Sequence, residues 1–222
     1  MTPRVHAEWA RRVAAEYRSA GVAAQVLSWG VAAGVPVSLL RVAGRIVNDE
    51  LDHAELGHSC LVALGGTEEP VDLSPDLLRV ATTDDLLADL VRAVLRDFCL
   101  GETLAVPLFA EMRRRADQPA VVRALDRILA DEAVHRAFGW ELLDALIRID
   151  PAVVGFATMQ LPTLLDSFAG YADPPGALPL TEIERGCGLL DNADYGQIFA
   201  RTWEEDLAPR FGRRGIMGEK RG

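Results

Sequence analysis

Two stretches of the chain carry the same short pattern: DELDHAELG at residues 49–57 and DEAVHRAFG at residues 131–139. Each reads Asp-Glu-x-x-His-x-x-(Leu/Phe)-Gly, and together they use two of the four histidines in the chain. Residues three apart in an α-helix lie on one face, with Cβ atoms about 5–6 Å apart. Each Glu-x-x-His pair can therefore direct a carboxylate and an imidazole towards one point.

The sequence around these stretches predicts long helices. Apolar residues recur at alternating steps of three and four in four segments, at about residues 3–30, 36–64, 84–115 and 119–149. Glycine or proline residues separate successive segments, as expected at helix ends. Two weaker helical patterns follow at about residues 151–168 and 192–207.

These patterns predict an all-α fold in a single domain that covers residues 1–222. The core is predicted to be a four-helix bundle at about residues 3–149. A C-terminal helical extension is predicted at about residues 151–210, and residues 211–222 are predicted to form a flexible tail.

Each long helix carries a glutamate in the middle of its apolar seam. The four are Glu16, Glu50, Glu102 and Glu132. Burying one unpaired carboxylate costs several kcal/mol, so four buried together need a compensating positive charge. Because His53 and His135 share the faces of two of these glutamates, metal cations are the predicted source of that charge. Four carboxylates formally balance two divalent ions.

The spacing of the glutamates indicates a duplicated helical hairpin. A lone glutamate precedes the paired glutamate by 34 residues in the first half (50 − 16) and by 30 residues in the second (132 − 102). In a helical hairpin, both intervals place the two glutamates at matching heights on antiparallel helices. The sequence therefore predicts that each half supplies three of six ligands, with room for two metal ions.

This arrangement resembles the ferritin-like di-iron carboxylate superfamily, in which two helices each supply a Glu and two others each supply Glu-x-x-His. The resemblance covers roughly residues 9–146. It implies a ferritin-like four-helix bundle that holds two iron ions (Fe2+ or Fe3+), with manganese as an alternative. It also implies metal ligands at Glu16, Glu50, His53, Glu102, Glu132 and His135.

Asp49 and Asp131, which precede the paired glutamates, match superfamily positions that often hydrogen-bond the ligand histidines. The chain departs from the superfamily in one respect. Many oxygenase members have Arg just before the motif histidine, whereas Asp52 and Val134 stand there in this chain. This difference argues against membership of the bacterial multicomponent monooxygenases.

Two function classes follow from the resemblance. The first is an O2-activating oxidase or oxygenase that hydroxylates, desaturates or N-oxygenates a small organic substrate, with a reductase or ferredoxin as a candidate electron donor. The alternative is a ferritin-like or rubrerythrin-like iron-handling protein, for ferroxidation, storage or peroxide detoxification. A monomer or homodimer would favour the first class, and a cage of many subunits would favour storage.

Three features of the sequence favour the oxygenase class. No rubredoxin-type CxxC pair is present, and roughly seventy residues follow the predicted core. Those extra helices could roof a substrate pocket. Gly101 and Pro107 flank Glu102, and a proline inside a helix kinks or bulges it, often at functional sites.

Further residues near the predicted site have two interpretations each. Gly57 and Gly139 lie one turn after the motif histidines, and they either allow close helix packing or leave space for a substrate or oxygen. Cys99, one turn before Glu102, either borders this pocket or is a structural core cysteine. His58 is a candidate for an additional ligand.

Composition restricts the partners and the compartment. The formal net charge of −10 argues against nucleic-acid binding, which needs a basic surface. Three cysteines without CxxC spacing, together with an N-terminus that does not read as a signal peptide, predict a cytoplasmic protein. Charged residues interrupt the apolar segments, so no membrane association is expected. Arginine supplies nearly all the basic residues, which is typical of GC-rich bacterial genomes.

Overall fold

The computed structural model describes residues 2–67, 82–168 and 179–216, and the regular structure within these ranges is helical throughout. The all-α fold class is therefore confirmed. The helices are α1 (Pro3–Ala32), α2 (Val37–Ala63), α3 (Leu86–Ala93), α4 (Thr103–Arg115), α5 (Pro119–Ile149), α6 (Val153–Phe168), α7 (Glu182–Gly186), α8 (Asn192–Thr202) and α9 (Ala208–Arg213). A nine-residue π-helical stretch, Val94–Glu102, joins α3 to α4 and is called the π segment below.

Capping and turn residues explain where the long helices begin and end. The Thr2 hydroxyl accepts a hydrogen bond from the backbone N–H of Val5, so Thr2 caps α1. Gly34, with φ of 74°, turns the chain between α1 and α2. The Asp85 carboxylate accepts from the backbone N–H of Ala88 and caps α3. These local signals produce four long helical rods, because α3, the π segment and α4 form the third rod together.

The four rods pack as a bundle around one apolar core. α1 packs on α2, α2 on α5, α5 on the π segment and α4, and the third rod returns to α1. The predicted seams face inward, with Trp9, Ile46, Leu95 and Leu125 among the fully buried side chains. Burial of these apolar surfaces is the main contribution to the stability of the bundle. Within the described residues, no helix combines the length and the apolar character needed to cross a bilayer.

The third rod is irregular next to Glu102, as the sequence predicts from Gly101 and Pro107. The π segment ends at Glu102, and Pro107 follows within α4. A π-helix places more residues in each turn than an α-helix, so the face that points inward changes along the rod. Leu95 and Phe98 are buried in the core, whereas Ala105 and Phe109 after the π segment are only half-buried.

The C-terminal extension packs against the outside of the third rod. α6 contacts α3, the π segment and α5, whereas α8 contacts α4. Ion pairs fix this layer to the bundle: Arg115 of α4 binds Asp194 at 2.5 Å and 2.8 Å, and Arg214 binds Asp144 of α5 at 2.6 Å and 2.8 Å. The extension is therefore part of the packed molecule.

The predicted start of the flexible tail at residue 211 is wrong. Helix α9 continues to Arg213, and both Phe211 and Ile216 are fully buried in the main core. Phe211 stacks edge-on against Trp140, with ring centroids 4.9 Å apart. Burial of these apolar side chains thus packs the chain against the core as far as Ile216. The rest of the predicted tail, residues 217–222, lies outside the described residues.

Gly57, Gly139 and Cys99, for which the sequence leaves a packing and a pocket interpretation, lie in close contacts between the rods. A Cβ atom at Gly57 would lie 3.0 Å from Val13 Cγ2, and one at Gly139 would lie 2.7 Å from Phe98 Cβ. The thiol of Cys99 is fully buried and donates to the carbonyl of Gly139 at 3.5 Å. None of the three lines the cavity described below. Their role is to allow the rods to approach closely.

Close contact at Gly139 predicts a large loss of stability for Gly139→Ala. The added methyl group would also meet the backbone carbon of Phe98 at 2.9 Å, which cannot move aside as a flexible side chain can. We expect the free energy of unfolding to fall by about 1–3 kcal/mol. Gly155→Ala is the matched control, because Gly155 lies exposed in α6 with nothing within 4 Å, and alanine should stabilise that helix slightly. Equal unfolding midpoints in urea for the two variants would contradict this assignment.

Candidate metal centre

The six residues predicted as metal ligands meet at the centre of the four rods. Their side chains come from α1 (Glu16), α2 (Glu50, His53), the end of the π segment (Glu102) and α5 (Glu132, His135). Each is at most 9% exposed, and both histidines are fully buried. The chain therefore contains a buried cluster of glutamates and histidines that is compatible with a metal site.

The cluster divides into two overlapping groups that could each hold one ion. Within each group, one ligand atom from every residue lies within 4.8 Å of all the others. One group contains Glu50, Glu102, Glu132 and His135, and the other contains Glu16, Glu50 and His53. Glu132 also reaches the second group, since its Oε1 lies 3.8 Å from His53 Nδ1. Glu50 and Glu132 therefore lie between the two positions, with Glu16 and Glu102 at opposite ends.

Aspartates on the opposite helix orient both histidines. His53 Nε2 of α2 lies 3.1 Å from Asp131 Oδ2 of α5, and His135 Nε2 of α5 lies 3.4 Å from Asp49 Oδ2 of α2. An ionised carboxylate only accepts hydrogen bonds, so these contacts favour the tautomer in which each Nε2 carries a proton and donates it. The remaining ring atom, Nδ1, is then left with a lone pair for a metal ion.

When the only ring proton is on Nε2, the atoms that face each other at the centre are all acceptors. His135 Nδ1 lies 3.1 Å from Glu50 Oε1 and 3.7 Å from Glu132 Oε2. His53 Nδ1 lies 3.6 Å from Glu50 Oε2. Both Nδ1 atoms and the Oε2 atoms of Glu50 and Glu132 are buried without a hydrogen-bond partner. Buried acceptors in contact with one another are costly unless a cation lies between them. These residues therefore fit a pair of metal ions.

Without a metal, protonation partly neutralises the cluster. Burial raises the pKa of Glu102 to about 7, and burial with the nearby Glu102 carboxylate raises the pKa of Glu132 well above its usual range. Burial and the neighbouring Glu50 carboxylate raise the pKa of Glu16 in the same way. Burial alone would raise the pKa of Glu50 too, but the imidazoles of His135 and His53 lower it to about 2.

Two arginines that sequence reasoning missed support the aspartates. Arg45 of α2 donates to Asp49 at 3.1 Å and to Asp131 at 3.4 Å. Arg127 Nη1 of α5 forms an ion pair with Asp131 Oδ2, and Arg127 Nη2 lies 4.0 Å from Asp49 Oδ1. Each guanidinium therefore spans both aspartates and holds their carboxylates in position beside the histidines. The sequence does contain a signal, because each Asp-Glu-x-x-His is preceded by Arg-Ile-x-x, at residues 45–48 and 127–130.

A cavity of about 450 Å³ opens beside the cluster. The carboxylates of all four glutamates reach its wall, but neither histidine does. The metal positions would therefore face the cavity on their carboxylate side. Much of the remaining wall is apolar and comes from α4 and from the C-terminal layer: Leu104, Ala105, Leu108, Phe109, Met112, Phe168 and Phe199.

His58, the candidate for an additional ligand, is in neither of the two groups of side chains that could hold a metal ion.

Neither the models of known protein families nor the curated proteins give a match to this chain. Function must therefore be inferred from the site itself.

The raised pKa of Glu102 predicts an unusual pH dependence for the metal-free protein. Between the ordinary value of 4.5 and the folded value of about 7, the folded state holds a proton that the unfolded state releases. The free energy of unfolding should therefore fall as the pH rises through this window. Glu102→Gln should flatten the slope, measured by urea unfolding at several pH values.

A matched control for this experiment is Glu111→Gln in α4. Arg114 lowers the pKa of Glu111, so that carboxylate titrates below the window and its loss should leave the slope unchanged. If Glu102→Gln leaves the slope between pH 4.5 and 7 as steep as in the metal-free wild type, Glu102 does not hold the proton in the folded state.

Proposed function

We propose that the protein is a non-haem di-iron oxidase or oxygenase of the ferritin-like superfamily that uses O2 to oxidise a small organic substrate. The observation that carries this proposal is the buried pair of overlapping ligand groups beside a cavity with a partly apolar wall. The complete set of four carboxylates and two imidazoles is the ligand chemistry that iron favours, and manganese fits it as well.

The proposal assigns a role to each ligand residue. His53 and His135 would bind one ion each through Nδ1, the atom left without a partner. Glu50 and Glu132 lie between both positions and would bridge the two ions, whereas Glu16 and Glu102 would each bind one. The two divalent ions would neutralise the four carboxylates, so the protons that some of them hold would be released on binding.

When bound, a pair of Fe(II) ions would supply the electrons and the Lewis acidity with which dioxygen is reduced. Hydroxylation of a C–H bond consumes O2, two electrons and two protons and releases water with the alcohol. A reductase or ferredoxin would be the external source of the two electrons that the overall reaction consumes. Asp49 and Asp131 would keep both histidines in the tautomer that binds metal, and Arg45 and Arg127 would hold the aspartates in position.

The cavity favours an organic substrate over iron handling alone. Ferroxidation or storage needs access only for an ion and for the oxidant. Here about 450 Å³ of space adjoins the carboxylates, which is within the range for pockets that bind small molecules. Aromatic side chains from the C-terminal layer, Phe168 and Phe199, contribute to the wall. An extra layer of helices with apolar side chains at the cavity supports the oxygenase class.

Iron binding and reaction with O2 test the proposal directly. Anaerobic Fe(II) titration of the purified full chain should reach two ions per chain, and O2 addition should then produce a transient visible absorption. Glu132→Ala should reduce the stoichiometry, because it removes one of the residues between both positions. Glu141→Ala, an exposed glutamate on the same helix, is the control. Two tightly bound ions in the Glu132→Ala variant would refute the proposed site, and a cage of many subunits in solution would favour iron storage.

The aspartates should influence metal affinity without touching the metal. Asp131→Asn replaces an acceptor of His53 Nε2–H by an amide, so the imidazole is free to move its proton to Nδ1. We expect Fe(II) affinity to fall about 10- to 100-fold, measured by competition with a chromophoric chelator. Asp126→Asn, in the same helix and paired at the surface with Arg113, should bind Fe(II) like the wild type. Identical affinities for both variants would exclude the orienting role of Asp131.

A further inference from the structure

The cavity is lined by more positive charge than the acidic chain would suggest. The formal net charge of the chain is −10, yet four arginines line this one cavity: Arg11, Arg12, Arg18 and Arg96. Apart from the four ligand glutamates, the only acidic side chain among the described lining residues is Asp97. An arginine presents several N–H donors in a planar fork that matches the oxygens of a carboxylate or phosphate.

Two of these arginines share a single counterion. Arg18 Nη1 and Arg96 Nη2 both pair with Asp97, at 3.2 Å and 2.8 Å. One carboxylate thus faces two guanidinium groups. Once two divalent ions neutralise the glutamates, this part of the cavity keeps an excess of positive charge.

Arg12, a buried residue of the cavity lining, has a hydrogen-bond donor without a partner. Its side chain is only 7% exposed and stacks over Trp9, with the guanidinium carbon 4.7 Å from the ring centroid. Its Nε and Nη2 are engaged by Glu8 and by the carbonyl of Gly188, but its Nη1 is buried without a partner. Buried donors without partners are rare and are commonly satisfied by a bound molecule or water.

The side chains that line the cavity differ in solvent exposure, so the cavity has a buried inner end and an exposed outer end. Glu50 and Glu132 at its inner end are at most 2% exposed. The side chains of Arg18 and Arg96 are 32% and 36% exposed and mark its outer end. Apolar side chains, including Leu108 and Phe199, line the wall as well. A ligand that fits this arrangement has an anionic group at one end and an apolar body.

We propose that the cavity binds an amphipathic organic acid whose oxyanion pairs with Arg18 and Arg96 while its apolar body lies along α4 and α8 towards the glutamates. This inference rests on the proposed function, because it names the substrate class of the same site. It places the acid group at the exposed arginines and the apolar carbons beside the buried glutamates. The pairing of both arginines with Asp97 leaves one positive charge for the ligand.

Ligand binding to the Zn(II)-loaded full chain tests this assignment without any turnover. Zinc is not redox-active, and isothermal titration calorimetry at pH 7 reports the affinity of each ligand directly. The probes are octanoate and 4-phenylbutyrate, each compared with the alcohol of the same skeleton. We expect at least one acid to bind about tenfold more tightly than its alcohol, as for a charge-assisted hydrogen bond. Raising the salt concentration should reduce the difference.

Two variants should shift the acid affinity in opposite directions. Arg18→Gln removes the excess positive charge and should weaken acid binding by about fivefold, a modest effect because Arg18 is partly exposed. Asp97→Asn frees both arginines and should strengthen acid binding by about fivefold. Alcohol binding should not change in either variant. The exposed pair Arg113 and Asp126 lies outside the cavity lining, so Arg113→Gln and Asp126→Asn are the matched controls.

The zinc stoichiometry of every variant separates this inference from the proposed function. Two zinc ions per chain with no preference of either acid over its alcohol would overturn the inference and leave the metal site intact. A preference that neither Arg18→Gln nor Asp97→Asn changes would overturn it too, because the acid would then bind the metal. If the chain holds no metal, the proposed function fails, and the same titrations on the metal-free protein still decide whether the arginines select acids.

Discussion

The rest of the structure depends on the burial of four carboxylates beside two imidazoles in the centre of an apolar bundle. Glu16, Glu50, Glu102 and Glu132 come from four different rods, so the cluster can form only when all four rods have packed. Burial of the carboxylates and their mutual repulsion oppose that packing, and burial is the larger cause of the raised pKa values of Glu16, Glu102 and Glu132. Protonation relieves the repulsion group by group, whereas a pair of divalent cations would relieve it at once and would satisfy the unpartnered acceptors as well.

The two Asp-Glu-x-x-His stretches also hold the two halves of the molecule in register. Asp49 contacts His135, and Asp131 contacts His53, so positions before the glutamate on one helix pair with positions after it on the other. This reciprocal pairing requires α2 and α5 to run antiparallel, and Arg45 and Arg127 span the same two aspartates from both sides. A local sequence repeat thus becomes an approximate twofold arrangement in space.

Much of this could be predicted from the sequence, because the strongest patterns are local. Helix periodicity and the spacing of Glu-x-x-His are properties of a single helix, and they predict both the rods and the six residues that meet. The arginines and the cavity depend on contacts between helices, which periodicity does not report. Gly57 and Gly139 illustrate the same limit, since an inward glycine can leave space or admit a neighbouring rod, and here Val13 and Phe98 fill the space. The start of the flexible tail is predicted wrongly because Phe211 and Ile216 are too far apart in the sequence to give a periodic apolar pattern. Both side chains are nevertheless buried.

The cluster draws equally on the two halves of the bundle, whereas the cavity beside it does not. The six cluster residues derive equally from both halves, so a duplicated hairpin alone would suffice to hold two ions. The cavity, in contrast, is lined mainly by α1 and the irregular third rod, and the C-terminal layer adds Phe168, Tyr195 and Phe199 to its wall. The π segment changes the inward face of the third rod at Glu102, so apolar residues of α4 line the cavity beside the carboxylates. Features that break the twofold arrangement are not needed to hold metal, and their concentration around this opening supports a role in binding a second molecule there.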